Sequence, residues 1–192
     1  MIDFIFEKGL IYDGSGNEPY VADVATLGNK IEHIGQLDDA ECTQRIDIEG
    51  LAIAPGFIDL HTHSDFTLVA NTKAESQVHP GVTTEVVGQC GHSCAPVCHP
   101  SEIAKVALGY IPGCEGAGWE SFGEYLDHLD QYDLGVNVAA FVGHGAIHRM
   151  VMGDELRLPE PEEVDQMARL VHQAMEEGAA GFSTGLEYWP GI

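Results

Sequence analysis

Residues 53–63 read Ile53-Ala54-Pro55-Gly56-Phe57-Ile58-Asp59-Leu60-His61-Thr62-His63, a short apolar run that ends in a His-x-His pair. An apolar run after a Pro-Gly turn predicts a buried strand. Residues i and i+2 of a strand point to the same side, so both imidazoles converge on one cation. Neutral imidazole suits zinc. The stretch therefore predicts a zinc site at a strand end, although an isolated His-x-His pair also arises by chance among ten histidines.

Apolar strands alternate with helical stretches in the rest of the chain, which is the pattern of parallel βα units. A (β/α)₈ barrel takes about 250 residues and carries its chemistry on the loops that follow its strands. We therefore expect an α/β fold, the N-terminal half of a TIM barrel, rather than a small doubly wound domain, and a fragment of a longer protein. The predicted strands are Phe57–Leu60, Val82–Val87, Val136–Val142 and Ala180–Ser183, and the predicted helices are Leu68–Val78, Ile103–Leu108, Phe122–Leu129 and Glu162–Glu177.

The residues before this barrel segment have a different sequence pattern. Short β-rich runs alternate with turn signals at residues 13–16 and 27–29, which predicts a small all-β unit. The runs are Phe4–Phe6, Leu10–Tyr12, Val21–Thr26, Lys30–Ile34 and Arg45–Ile48. The predicted domains are residues 1–55 and residues 56–192.

Composition excludes several classes of protein. With 31 Asp and Glu against 8 Lys and Arg, and a net charge of -23, we expect no nucleic-acid partner, because phosphate binding needs clustered cations. No apolar run is long enough to span a bilayer and no leader is evident, so we expect no membrane partner and a cytoplasmic location. Five cysteines suit a reduced compartment. The acid excess either favours solubility or reflects a salt-rich habitat.

Cys90 follows the second predicted strand, at the same level as the two histidines. A thiolate there is a third candidate zinc ligand. Two alternatives stay open: a small buried hydrophobic residue, and a separate zinc knot with Cys94, Cys98 and His99. The knot is disfavoured because its spacing lacks a Cys-x-x-Cys pair and Pro96 interrupts it.

Two later strand ends also carry polar side chains. His144 and His148 follow the third predicted strand, in what we expect to be a loop, and residues 183–188 follow the fourth. His144, Ser183 and Tyr188 are candidates for substrate contact. The alternatives are packing histidines and an ordinary polar loop.

Four stretches carry a family resemblance. Residues 54–63 resemble the metal-binding opening of the amidohydrolase superfamily. Residues 81–91, 142–145 and 181–188 resemble the D-aminoacylase group, the N-acyl-D-amino-acid deacylases. The motifs occur in order and cover nearly the whole chain.

The resemblance implies a TIM barrel flanked by a small β-sandwich built from both chain ends, of which residues 1–55 are half. It implies that His61, His63 and Cys90 bind one or two zinc ions, with two further histidines and a catalytic aspartate beyond residue 192. Most amidohydrolases bridge two metals with a carboxylated lysine after the fourth strand, where this chain has Ser183 and Thr184. Tyr188 is expected to donate a hydrogen bond to the oxyanion or to the substrate carboxylate.

The implied function is hydrolysis of the amide bond of small-molecule N-acyl-D-amino acids by zinc-activated water. The alternatives are a cyclic-amide hydrolase, similar to dihydroorotases or hydantoinases, and an inactive truncated metal-binding module. Because the base and two ligands are expected beyond residue 192, we expect the 192-residue chain alone to be inactive.

Overall fold

The computed structural model describes residues 1–97 and 119–187. The chain divides into two compact units, Met1–Pro55 and Gly56–Ile192. Within the described ranges, no helix is long and apolar enough to cross a membrane. The predicted helix Ile103–Leu108, the knot residues Cys98 and His99, and the candidate Tyr188 lie outside the described residues.

The first unit is one five-stranded sheet with the order β3-β2-β1-β4, and β5 also pairs with β1. Its strands are β1 Ile2–Ile11, β2 Tyr20–Leu27, β3 Lys30–Gly35, β4 Cys42–Asp47 and β5 Ala52–Ile53. The two runs predicted within the first 12 residues form the single strand β1. A bulge between Phe6 and Gly9 interrupts it, with Lys8 at φ 60°. A bulge of this kind bends a strand without ending it.

The second unit contains a four-stranded parallel sheet whose order, β6-β7-β8-β9, follows the chain. The strands are β6 Phe57–Asp59, β7 Val82–Val87, β8 Asn137–Gly143 and β9 Gly181–Ser183. The helices are α1 Asp65–Leu68, α2 Glu75–Val78, α3 Phe122–Leu129, α4 His144–Met152 and α5 Pro161–Glu176. All four predicted strands are present, each with ends within one residue of the prediction.

Two helix predictions differ from the structure. The single helix predicted for Leu68–Val78 is wrong, because α1 ends at Leu68 and α2 begins at Glu75. Between them Ala74 has φ 46°, and the carbonyl of Thr72 accepts a hydrogen bond from Gly135 at 2.9 Å. A continuous helix would need a right-handed backbone at Ala74 and would use the Thr72 carbonyl for Ser76. The loop expected at His144 is also wrong, because His144 begins α4 directly after β8.

The core of the second unit lies between this sheet and its helices. Val87, Ala140 and Val142 of the two central strands are buried with Phe122 and Tyr125 of α3. The outer strands β6 and β9 are less covered: Phe57 is 69% exposed and Phe182 is 43% exposed. Within the described residues each of these strands pairs on one side only, so both sheet edges are open.

Candidate metal centre

The three predicted ligands meet at the carboxyl ends of two neighbouring strands. Parallel pairing of β6 with β7 places His61 and His63 beside the loop that carries Cys90. One ligand atom from each residue lies within 4.8 Å of the others. His61 Nε2 lies 3.1 Å from Cys90 Sγ. Neighbouring strands thus bring together residues that are 29 positions apart in the chain.

The geometry and chemistry of this group fit a zinc ion. Zn–S and Zn–N bonds of about 2.3 and 2.0 Å at a tetrahedral angle place sulfur and nitrogen about 3.5 Å apart. The observed 3.1 Å needs only a small side-chain rotation. His63 Nδ1 is buried and makes no hydrogen bond among the described residues. A buried polar atom without a partner is costly, and a cation is one way to remove the cost.

Two hydrogen bonds attach the histidine segment to β7 and to the loop that follows it. The amide of Thr62 donates to the carbonyl of Val86 at 3.2 Å, which continues the sheet past the end of β6. The side chain of Gln89 donates to the carbonyl of Leu60 at 3.0 Å. The His-x-His segment is therefore bonded both to β7 and to the loop that carries Cys90.

Two carboxyl groups are buried close to the histidine segment. Glu85 of β7 is fully buried, and its Oε2 accepts a hydrogen bond from Ser64 at 2.8 Å. Asp65 is 1% exposed, and its Oδ2 accepts a hydrogen bond from the amide of Cys94 at 3.0 Å. Burial raises the pKa of Glu85, and it raises the pKa of Asp65 to about 7. A cation bound nearby would favour the charged forms of both groups.

A tight loop presents Cys90. Gly88, Cys90 and Gly91 have φ values of 75°, 56° and 75°. A Cβ on Gly88 would lie 2.0 Å from the carbonyl oxygen of Phe141, so only glycine fits there. The carbonyl of Gly91 accepts a hydrogen bond from Gly145 at 2.8 Å. The loop therefore lies directly against the end of β8.

Ser183 fastens the same loop to β9. Its Oγ donates to the carbonyl of Gly88 at 2.5 Å and accepts from the amide of Gly91 at 2.9 Å. The side chain is buried, 8% exposed as a residue. The sequence predicted that Ser183 lies at a strand end. No sequence pattern predicts its hydrogen-bond partners, which are more than 90 positions away. Contact between Ser183 and a substrate stays a prediction.

His144 lies apart from the three ligands, at the first position of α4. Its ring centroid is 6.4 Å from that of Phe182, and its Nδ1 is buried with no hydrogen bond in the described ranges. Burial lowers the pKa of His144 below the usual histidine value, which favours a neutral ring. Its contact with substrate also stays a prediction.

Sequence reasoning missed a third imidazole near the site. His92 is 8% exposed, and its ring centroid lies 6.3 Å from that of His63. Burial lowers the pKa of His92. A sequence signal did exist, since His92 follows Cys90 by two positions in the same strand-end loop. Cys94, from the alternative zinc knot, lies instead in the hydrophobic core.

Comparisons with known proteins agree with this architecture. The sequence profile described as the amidohydrolase family matches residues 44–191. A D-aminoacylase of Alcaligenes xylosoxydans xylosoxydans is 40% identical over 188 residues, which are 98% of this chain and 38% of that protein. The chain thus spans 38% of the length of this curated relative.

Solved structures give the same result. A D-aminoacylase studied for its binuclear metal center superimposes with a TM-score of 0.89 at 35% identity, over 100% of this chain and 40% of that one. An N-acyl-D-glutamate deacylase from Bordetella bronchiseptica, complexed with zinc and a phosphonate inhibitor, has a TM-score of 0.86 at 35% identity, over 99% and 40%. These neighbours establish a TIM-barrel-type fold, to which the parallel sheet belongs. The chain therefore belongs to the amidohydrolase family, as its motifs predicted.

Proposed function

We propose that the full-length protein is a zinc-dependent hydrolase of the amide bond of N-acyl-D-amino acids. One observation carries the proposal: His61, His63 and Cys90 converge with ligand atoms within 4.8 Å, at the carboxyl ends of adjacent parallel strands. Barrel enzymes place their chemistry at this end of the strands. The similarity to a D-aminoacylase and to an N-acyl-D-glutamate deacylase supports the substrate class.

In this proposal His61, His63 and Cys90 hold one or two zinc ions. When bound, zinc polarises an amide carbonyl and lowers the pKa of water. The thiolate donates more charge than an imidazole and moderates the acidity of the metal. The hydrogen bonds of Gln89 to Leu60 and of Thr62 to Val86 hold the ligand residues in position. This matters because a displaced ligand weakens a metal site.

Substrate binding is proposed to involve the ends of β8 and β9. His144 and the ring of Phe182 lie side by side there, which supports a role for His144 next to an apolar part of the substrate. Tyr188 is the other proposed substrate residue. Ser183, the third residue predicted for substrate contact, is buried, and its hydroxyl is bonded to Gly88 and Gly91. The catalytic aspartate is expected beyond residue 192.

The anionic carboxylate of the substrate needs a cation. Arg149, the arginine that follows the third motif, is buried and paired with Asp154 at 2.9 Å. We therefore propose that the carboxylate is bound by a cation from outside this chain segment, because a bidentate guanidinium fixes the orientation on which recognition of the D configuration depends.

The domain organisation is part of the proposal. Residues 1–55 are proposed to form part of a small β-sandwich and residues 56–192 the first half of the barrel. The first unit supports this with a sheet that leaves Val21 and Ile31 69% and 63% exposed. Apolar side chains on a sheet are normally covered by a second layer. The absence of a nucleic-acid partner is proposed from the acid excess, and a cytoplasmic location from the odd number of cysteines.

A paired assay tests the function. The full-length protein is assayed on N-acetyl-D-amino acids and N-acetyl-L-amino acids, with dihydroorotate and hydantoin alongside. We expect hydrolysis of the D series, loss of it after chelation, and recovery with zinc. Cys90→Ala should abolish most of the activity, whereas Cys42→Ala, in the first unit, should not.

Three results would contradict the proposal. Preference for the L series or for the cyclic amides would refute the deacylase assignment and leave the metal site standing. Zinc binding without turnover of any amide would favour the inactive-module alternative. Full activity of Cys90→Ala would remove Cys90 from the metal site.

A further inference from the structure

We infer that Ser183 is a positioning residue that aims the Cys90 thiolate at the metal. The inference rests on the proposed function, because it takes Cys90 as a ligand. It assigns Ser183 a task other than contact with substrate: one hydroxyl sets the shape of the loop from which the thiolate projects.

The contacts of Ser183 define this task. Its hydroxyl donates to the carbonyl of Gly88 and accepts from the amide of Gly91, at 2.5 and 2.9 Å. These two backbone groups lie on either side of Cys90. A hydroxyl both donates and accepts at a single atom, so it fixes the distance between the two groups. Ser183 thus closes the loop from Gly88 to Gly91 with one oxygen.

The backbone of Cys90 explains why the loop needs such a contact. Cys90 has φ 56°, a left-handed conformation that residues with a Cβ rarely adopt. Such a conformation persists only where the surroundings enforce it. The cysteine side chain has one rotatable bond to sulfur, so its direction follows the backbone closely. In this conformation Sγ lies 3.1 Å from His61 Nε2, within a small side-chain rotation of the separation that a shared metal requires.

Other contacts leave Ser183 as the anchor on the β9 side. Gln89 holds the loop to the residue after β6, and Gly145 holds it to the start of α4. Neither of these contacts bonds the carbonyl of Gly88 or the amide of Gly91, and the contact of Asp65 with Gly88 uses the Gly88 amide. Because Ser183 is buried and its hydrogen is used by Gly88, its hydroxyl is poorly placed to bind a substrate.

The test compares two buried serines in the full-length protein. Ser93 is the matched control: it is 1% exposed, and its Oγ accepts from Gly143 at 2.9 Å and donates to Ala95 at 2.6 Å. Ser183→Ala and Ser93→Ala therefore each remove one donated and one accepted backbone hydrogen bond. Zinc affinity is measured by chelator competition, and cobalt is substituted to record the cobalt–thiolate charge-transfer band.

We expect Ser183→Ala to bind zinc about 10- to 100-fold more weakly, the range seen when a partner of a ligand is removed. Its cobalt–thiolate band should weaken and its kcat should fall more than its KM rises. Ser93→Ala should lose stability and keep both the affinity and the band. Ser183→Thr keeps the hydroxyl and should keep the band, which provides a second folded variant.

An unchanged zinc affinity and band in Ser183→Ala would overturn the inference while leaving the metal site intact. So would equal losses in Ser183→Ala and Ser93→Ala, or a folded Ser183→Thr without the band. A wild-type protein that binds cobalt without a thiolate band has a different meaning, since it would show that Cys90 is not a ligand and would overturn the proposed site together with the inference.

Discussion

Replacing Gly88 by Ala tests whether the loop that carries Cys90 depends on close backbone packing. Gly88 has φ 75°, and an added Cβ would lie 2.0 Å from the carbonyl oxygen of Phe141. Phe141 belongs to β8 and pairs with Gly181 of β9. Its carbonyl therefore has little freedom to move without disturbing the sheet. The substitution combines a strained backbone with a collision against a rigid atom.

The magnitude follows from these two effects. A left-handed conformation costs an alanine about 1–2 kcal/mol. Overpacking costs about 1–3 kcal/mol more, and the upper part of that range applies because the neighbour is backbone. The free energy of unfolding should fall by about 2–5 kcal/mol, a large share of the roughly 5–15 kcal/mol typical of a folded domain.

Urea unfolding of the full-length protein, followed by circular dichroism, measures the effect. With a slope of about 2 kcal/mol per M, the midpoint should fall by about 1–2.5 M. Gly81→Ala is the matched control, because Gly81 has φ 95° but the nearest atom to its added Cβ is at an ordinary 3.5 Å. Its midpoint should fall by only about 0.5–1 M. Equal midpoints for the two variants would show that the collision is relieved and would refute the reasoning.

Three further predictions concern the helices and the isolated chain. Ser121 caps α3 by accepting a hydrogen bond from the amide of Glu124 at 3.1 Å. Ser121→Ala should therefore lower the free energy of unfolding, measured with urea, by about 1 kcal/mol, whereas Ser121→Asp should keep the wild-type stability. The hydrogen bond from Arg157 lowers the pKa of Glu163 from its ordinary value of 4.5 to about 2. The pair therefore stabilises the fold at pH values above 4.5, and this contribution is lost as the pH falls toward 2. Thermal unfolding should therefore separate Glu163→Gln from wild type at neutral pH, with the gap closing near pH 2. The 192-residue chain alone should bind a hydrophobic dye, because Phe57 at the sheet edge is 69% exposed, and it should hydrolyse no N-acyl-D-amino acid. Zinc-dependent turnover that survives repurification would contradict this prediction.

The strands were predictable because buried parallel strands are continuous apolar runs. Val82–Val87 has the predicted ends, and Asn137–Gly143 is displaced by one residue. The helices were less predictable where distant backbone contacts decide them. Between the two short helices the carbonyl of Thr72 accepts a hydrogen bond from Gly135, and no pattern within residues 68–78 signals this contact.

The missed helix α4 has a related cause. A loop was expected because the segment follows a strand end, and its first residues, His144 and Gly145, are weak helix formers that give no helix signal. Gly143, the residue before the helix, is needed because Gly91 packs closely here: a Cβ on Gly143 would lie 2.5 Å from the carbonyl oxygen of Gly91. A glycine that lowers the helix propensity at the start of this segment is thus required by close packing against the Cys90 loop.

The candidate ligands could be found from the sequence because strand ends share one edge of a parallel sheet. That argument places His61, His63 and Cys90 together without knowledge of side-chain packing. It says nothing about backbone partners, and the contacts of Ser183 and Gln89 depend on how a loop crosses the sheet. His92 could have been proposed from its proximity to Cys90, but its burial could not.

The bond between Ser183 and Gly91 also has a consequence for the order of events during synthesis. This bond joins positions that are 92 residues apart in the chain. Because ribosomes add about 5–20 residues per second, Cys90 is synthesised about 5–20 s before Ser183. Closing such a long loop is entropically costly and waits for β8 and β9 to pair. We therefore expect the nascent chain to expose its histidines and its thiol without their final orientation, and to acquire a strong affinity for metal only after the fourth strand has emerged.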